Sequence, residues 1–85
     1  MANYTKDTEK HLKQVVHDKP WWTETYHPGV KVPVSGIYRC IKCRKEVACN
    51  QKEPFPPQNH DQHPPATCGK RMEYKLVVRA NTTGE

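Results

Sequence analysis

The hydrophobic positions of this chain predict a small antiparallel sheet. Apolar and polar residues alternate over most of residues 72–78, which is typical of a strand with one buried face, and residues 37–40 and 45–49 predict the two strands of a hairpin. Residues 30–34 also alternate and predict a short edge strand, which Pro33 caps or interrupts. The apolar face of the last segment consists of Met72, Tyr74, Leu76 and Val78.

Residues 1–27 predict an N-terminal arm that is flexible or partly helical. Thr5 or Asp7 could cap a helix there, and Pro20 is expected to end it. A helix this short is marginal in isolation, so we expect it to fray or to dock on the sheet. Three apolar residues have the spacing of a helical stripe: Leu12, Val15 and Val16.

Two adjacent tryptophans end the arm. Neighbouring side chains of an extended chain point to opposite sides, so we expect one of Trp21 and Trp22 to cover the sheet and the other to be exposed. A packing lid is favoured over a ligand platform, because tryptophan most often contributes core area.

The loop between the second and last predicted strands is rich in proline. Its prolines exclude a regular helix or a central strand, and Phe55 is its large apolar residue and its expected anchor. The chain thus divides into the arm, a zinc-ribbon-like domain over residues 28–79, and a disordered polar tail over residues 80–85.

The composition indicates that a hydrophobic core alone would stabilise this fold only marginally. Hydrophobic residues make up 34% of the 85 residues, and a chain of this size buries only about 60% of its unfolded surface. Small domains usually add disulfides, a metal or a partner. The first residues lack the apolar run of a signal peptide, and no segment is long enough to cross a bilayer. We therefore expect a cytoplasmic protein with reduced thiols, which favours metal binding over disulfides.

A C-x-x-C motif and a distant His/Cys cluster predict the metal ligands. Cys40 and Cys43 can present two sulfurs to one ion from a tight turn. Cys68 is followed by glycine, as in the far knuckle of many ribbons, and His60 and His63 compete for the remaining position. One structural Zn²⁺ is predicted, with Cys40, Cys43, His63 and Cys68 as the first set of ligands. The alternative set is Cys40, Cys43, His60 and His63.

The other cysteine and histidines lack a ligand pattern. Cys49 falls in the second predicted strand and is expected to be a buried thiol, while His11, His17 and His27 are expected on the surface. A catalytic metal would need an open position and a neighbouring acid or base, and no motif such as H-E-x-x-H is present. The core is also small for a substrate cavity. We therefore expect no enzyme and no small-molecule substrate.

The net charge of +5 comes from 14 Lys and Arg against 9 Asp and Glu. Such cations could simply offset the charge of the site, which is about −1 for Zn²⁺ with three thiolates and a neutral imidazole. They could also face the phosphates of DNA or RNA, with Tyr38 or Trp22 available to stack on bases. Six of the cations flank the two knuckles: Arg39, Lys42, Arg44, Lys45, Lys70 and Arg71.

A protein partner is the alternative to nucleic acid. In this hypothesis a monomeric adaptor docks through its two tryptophans or its proline-rich loop, both of which suit an interface. The cations that cluster around the knuckles favour nucleic acid slightly.

Two segments resemble a family of short bacterial and prophage-associated zinc-ribbon-like proteins called "protein L", which is unrelated to the immunoglobulin-binding protein of that name. The segments are PGVKVPVSGIYRCIKC, residues 28–43, and EPFPPQNHDQH, residues 53–63. The resemblance extends over about residues 28 to 79 and implies the fold, with no activity. Related ribbons often carry a cysteine directly after Phe-Pro-Pro, where this chain has Gln58. The resemblance therefore implies that other residues supply the second ligand pair.

Overall fold

A three-stranded antiparallel sheet forms the centre of the computed structural model, which describes residues 2–16, 19–58, 63–69 and 71–84. The strands are β1 (Gly36–Cys40), β2 (Glu46–Cys49) and β3 (Tyr74–Arg79), in the spatial order β2-β1-β3. Three of the predicted strands are thus confirmed, with small shifts in their bounds. The fold is small and β-rich, and its Cys/His cluster is compatible with a zinc-ribbon-like knuckle.

The central strand β1 sets the register of the sheet. Tyr38 lies opposite Val47 on β2 and Leu76 on β3, and Cys40 lies opposite Tyr74. At its start, a Cβ on Gly36 would overlap the carbonyl oxygen of Val78. Only glycine therefore allows β1 and β3 to approach this closely.

The predicted edge strand at residues 30–34 is wrong. This segment forms an isolated bridge between Lys31 and Pro54 and lies outside the sheet. The amide of Val32 donates to the carbonyl of Glu53 at 2.8 Å, and the amide of Phe55 donates to the carbonyl of Val30 at 2.9 Å. The segment therefore pairs with the proline-rich loop, and Pro33, which has no N–H, limits how far any pairing can extend.

Aromatic rings fill the core between the sheet and this loop. Phe55 is stacked on Tyr26 and on Tyr74, with ring centroids 5.3 Å away in both cases. It also meets the edge of Tyr38 at 4.8 Å. Phe55 is 1% exposed, so its predicted role as the anchor of the loop is confirmed. The buried hydrophobic set is Val32, Val34, Tyr38, Cys40, Cys49, Phe55, Cys68, Met72, Tyr74 and Leu76.

The N-terminal arm is partly helical, but the helix lies before the predicted apolar stripe. Helix α1 (Lys6–Glu9) is capped by Thr5, whose side chain accepts from the amide of Thr8. Leu12 and Val16 lie beyond the helix and are exposed. The expected stripe is wrong because three apolar residues give too little buried area to extend so short a helix.

Pro20 begins a second helix, although the sequence suggested that it would end one. It occupies the first turn of α2 (Pro20–Thr23), where its missing N–H has no cost. Trp21 and Trp22 are both half-buried and pack on the core. The expectation that one would be exposed is wrong because the backbone is helical there. The Arg79 guanidinium lies 5.7 Å from the centroid of the Trp21 ring.

The arm joins the sheet through its last residues. The amide of Tyr26 donates to the Tyr74 carbonyl at 2.9 Å, and the amide of Tyr74 donates to the Tyr26 carbonyl at 2.7 Å. Residues 80–84 are exposed, and the division into arm, domain and tail stays a prediction. No helix in the described ranges is long and apolar enough to cross a bilayer.

Candidate metal centre

Three cysteines and one histidine converge at one end of the sheet. Cys40 ends β1 and Cys43 lies in the turn that follows, while Cys68 ends the short helix α3 (Pro65–Cys68) and His63 precedes it. Their four possible ligand atoms all lie within 4.8 Å of one another. The structure therefore brings together the first predicted ligand set from two distant parts of the chain.

The distances between these atoms fit a tetrahedral ion. The sulfurs of Cys40 and Cys68 are 3.8 Å apart. Nδ1 of His63 lies 3.3 Å from the Cys43 sulfur and 3.5 Å from the Cys68 sulfur. Tetrahedral zinc, with Zn–S near 2.3 Å and Zn–N near 2.05 Å, would place two sulfurs about 3.8 Å apart and a sulfur and a nitrogen about 3.5 Å apart. The four residues are thus positioned to bind one metal ion.

The centre is closed to solvent on most sides. Cys40, Cys68 and His63 are 0%, 1% and 6% exposed, and Cys43 is half-buried. Sulfur and imidazole groups that are buried this close together need a cation between them once the thiols ionise, because an unpaired buried charge is very costly.

Backbone amides in the knuckle prepare Cys40 to be a thiolate. Burial raises the pKa of Cys40, but N–H groups of Cys43 and Lys42 that donate to its sulfur, together with the neighbouring thiols, outweigh burial and lower this pKa overall. Two backbone hydrogen bonds close the turn itself. The Arg44 amide donates to the Cys40 carbonyl at 3.0 Å, and the Cys40 amide donates to the Lys45 carbonyl at 2.9 Å.

Burial shifts the pKa values of Cys68 and His63 in opposite directions. Burial raises the pKa of Cys68 to about 11, and contacts with Cys43 and Cys40 add to this effect. Burial also lowers the pKa of His63, with a further contribution from the positive charge of Lys45. His63 is therefore kept as the neutral imidazole that binds metals, while Cys68 must lose its proton when a metal binds.

Gln58 holds the segment of the second ligand pair in place through three hydrogen bonds. Sequence reasoning did not assign it this role. Its Nε2 donates to the carbonyls of His63 at 2.9 Å and Gly69 at 3.0 Å, and its Oε1 accepts from the amide of Met72 at 3.3 Å. The available signal was a polar amide directly after Phe-Pro-Pro, in the loop that leads to His63. Gly69 turns the chain directly after Cys68 with a φ of +79°, which glycine adopts without strain.

Cys49 lies on β2 and is outside the cluster. Its burial confirms the predicted buried thiol, and burial, with a smaller contribution from Glu53, raises its pKa. His60, on which the alternative ligand set depends, lies outside the described residues, as does His17. His27 is half-buried, with Nδ1 3.3 Å from the carbonyl oxygen of Met72, so the predicted free surface position is wrong. His11 is exposed, as predicted.

The structure describes five of the six predicted nucleic-acid contacts. Arg39 is half-buried on β1, and Lys70 lies outside the described residues. Tyr38 is fully buried and donates its hydroxyl to the Val34 carbonyl at 2.6 Å. The predicted stacking of Tyr38 on a base is therefore wrong. The exposed members of the set are Lys42, Arg44, Lys45 and Arg71.

Comparison with known proteins gives one informative relative. All 85 residues of the chain align with "Protein L" of Escherichia coli at 47% identity, and the alignment covers 94% of that protein. No protein-family model matches the chain, and no solved structure matches it. This identity shows that the two proteins are homologous over the whole chain.

Proposed function

The chain belongs to the family of the Escherichia coli Protein L, and we propose that this member is a non-enzymatic zinc-binding module that contacts nucleic acid beside its metal centre. The observation that carries the proposal is the convergence of Cys40, Cys43, His63 and Cys68 within 4.8 Å. The cations that surround this centre supply the second half of the proposal.

The donor set favours a structural zinc ion. Three thiolates and one imidazole are soft and borderline donors, which select zinc over magnesium or calcium. Four protein donors fill a tetrahedral shell and leave no position for a substrate or a reactive water. This supports a stabilising role and argues against catalysis. All four cysteines are free thiols in the structure, and the proposal places the protein in the reducing cytoplasm.

Exposed cations next to the centre support nucleic acid as the partner. Lys42 and Arg44 project from the knuckle turn, and Arg71 precedes β3. A metal that orders this turn also holds its cations in one region of the surface. Phosphate contacts of this kind produce affinity that falls steeply with salt, because bound counterions are released on binding.

The test measures binding across a range of salt concentrations. Fluorescence anisotropy of labelled DNA and RNA oligonucleotides, with the zinc-loaded protein, should show a linear decrease of log affinity with log salt. A Lys42→Glu, Arg71→Glu double variant should bind more weakly than wild type. The Lys31→Glu, Lys52→Glu double variant, which reverses two exposed cations on the proline-loop side, is the matched control. Absence of binding at low salt, or binding that is unchanged by salt, would refute the proposal.

The adaptor alternative has less support from the tryptophans. Trp21 and Trp22 pack on the core and are half-buried, which leaves less of each ring for a partner. If they nevertheless form an interface, a Trp21→Ala, Trp22→Ala variant that still folds should lose a partner that wild type captures.

A further inference from the structure

A groove of about 460 Å³ lies on the surface beside the knuckle. It combines three parts of the fold: β1, the turn after β1, and β3. Arg39 and Lys75 are register partners on β1 and β3, and their side chains therefore share one face of the sheet. The residues that line the groove are Arg39, Ile41, Arg44, Lys75, Leu76 and Val77.

The lining joins positive charge to exposed apolar surface. Arg39, Arg44 and Lys75 are cationic, and no acidic side chain is among the lining residues found in the described ranges. Glu46 lies opposite Arg39 on the other edge of β1, outside the groove. Like charges directly across two strands are unfavourable for a sheet on its own. Glu46 offsets part of this repulsion from the β2 side of Arg39, and it is the groove itself, with three cations among its lining residues, that suits an anionic occupant.

Two apolar side chains of the lining are exposed. Ile41 is 42% exposed and Val77 is 37% exposed, one on the knuckle turn and one on β3. Covering side chains of this kind with an apolar surface lowers the free energy, because it removes them from water. The occupant must therefore carry both negative charge and a flat or apolar part.

The backbone conformation of Arg44 determines where its side chain lies. Arg44 has a φ of 68°, a left-handed conformation that glycine adopts freely and that is unfavourable for other residues. Glycine would therefore suit this turn better than arginine. The knuckle turn, closed by the hydrogen bond from the Arg44 amide to the Cys40 carbonyl, holds Arg44 in this conformation and places its guanidinium at the groove.

We propose that this groove binds single-stranded nucleic acid, with phosphates on Arg39, Arg44 and Lys75 and a base or sugar against Ile41 and Val77. A duplex keeps its bases stacked inside and presents mainly phosphates, whereas a single strand can place an unstacked base in a shallow apolar depression. The inference rests on the proposed function and extends it by adding Lys75, Ile41 and Val77 to the contact surface and by defining the strandedness of the ligand.

The experiment compares wild type with variants at groove residues that are not among the six cations predicted to flank the knuckles. Zinc-loaded wild type, Lys75→Glu and a Val77→Ser, Ile41→Ser double variant are titrated against a labelled single-stranded oligonucleotide and against its duplex at low salt. Lys31→Glu carries the same charge change as Lys75→Glu on an exposed residue outside the groove. Circular dichroism and zinc content establish that each variant is folded.

We expect wild type to prefer the single strand. Lys75→Glu should lose about tenfold in affinity or more, because reversing the charge removes a phosphate contact and adds a repulsion. Lys31→Glu should remain closer to wild type. The double variant should weaken single-strand binding more than duplex binding, because its two side chains contact only an unstacked nucleotide.

The remaining outcomes separate this inference from the function on which it rests. If wild type binds but Lys75→Glu and the double variant bind as well as Lys31→Glu, the groove is wrong and the knuckle proposal stands. A preference for duplex overturns the single-strand assignment alone. If wild type binds neither ligand at low salt, the proposed function fails, and the groove proposal fails with it.

Discussion

The side-chain amide of Gln58 donates a hydrogen bond to the backbone carbonyl of His63, with 2.9 Å between nitrogen and oxygen. A second hydrogen bond from the same amide reaches the carbonyl of Gly69 at 3.0 Å. These two carbonyls flank the segment that supplies His63 and Cys68. A residue that binds no metal itself thus fixes the spacing of the second ligand pair.

Removing this brace should weaken metal binding while preserving the ligands. Gln58→Ala should lower zinc affinity by about tenfold, the lower end of the effect of losing a hydrogen-bond partner behind a metal ligand. Competition with a chromophoric chelator measures this change. Gln51→Ala, which alters an exposed glutamine, should leave the affinity unchanged. Equal affinities for both variants would mean that Gln58 does not position the site.

The ligand set predicts that substituting different cysteines has different effects on zinc content and folding. Native mass spectrometry should find one zinc per chain in wild type and in Cys49→Ala, because Cys49 is buried outside the cluster. Cys40→Ser and Cys43→Ser should lose the metal and unfold, since apparent zinc-binding free energies of about 10–16 kcal/mol are largely folding free energy in small zinc domains. A cooperative, folded spectrum for either serine variant would contradict the assignment.

Arg44→Gly should separate stability from binding. Releasing the left-handed arginine should stabilise the zinc-loaded protein by up to about 1 kcal/mol and raise its melting temperature. The same variant should bind single-stranded oligonucleotides more weakly, because it removes a cation from the groove.

Lys52→Gly is the control for that comparison. Lys52 also has a positive φ, 73°, but does not line the groove. It should gain stability to a similar extent without losing affinity. If Arg44→Gly lowers the melting temperature, the backbone argument is wrong.

The elements that could be predicted from the sequence are those set by local patterns. Alternation located β3, and the C-x-x-C spacing located the first knuckle and, as the loop of a hairpin, the strands β1 and β2 on either side of it. The failures depend on contacts between distant segments. Residues 30–34 alternate like a strand, yet they pair with the loop around Phe55 instead of the sheet. The tryptophans were misplaced because Pro20 was interpreted as a helix end when it serves as a helix start.

The same reason explains what was missed around the site. Lys75 belongs with Arg39 only through the register of β1 and β3, and register depends on packing and on the bulge between Ile37 and Tyr38. Gln58 acquires its role through hydrogen bonds to residues up to 14 positions away. Residue spacing along the chain predicts a C-x-x-C knuckle, but it does not predict strand register or hydrogen bonds between distant residues.

The aromatic core should be energetically coupled to the metal centre. Phe55 is stacked between Tyr26 and Tyr74 and is nearly fully buried, and Phe55→Ala should cost about 3–5 kcal/mol of stability. Because zinc binds the folded chain and stabilises it, a loss of folding free energy should also lower apparent zinc affinity once the apo chain is mostly unfolded. Each 1.4 kcal/mol corresponds to about a tenfold change in that affinity.

A chelator titration of Phe55→Ala, Phe55→Leu and Pro57→Ala measures this coupling. Phe55→Leu retains apolar volume and should lie between wild type and the alanine variant, whereas Pro57 is exposed and its substitution should have little effect. Zinc affinity that falls in the order Pro57→Ala, Phe55→Leu, Phe55→Ala would show that folding and metal binding are one equilibrium. Unchanged affinity in Phe55→Ala, with a lower melting temperature, would instead mean that the ligand cluster forms independently of the aromatic core.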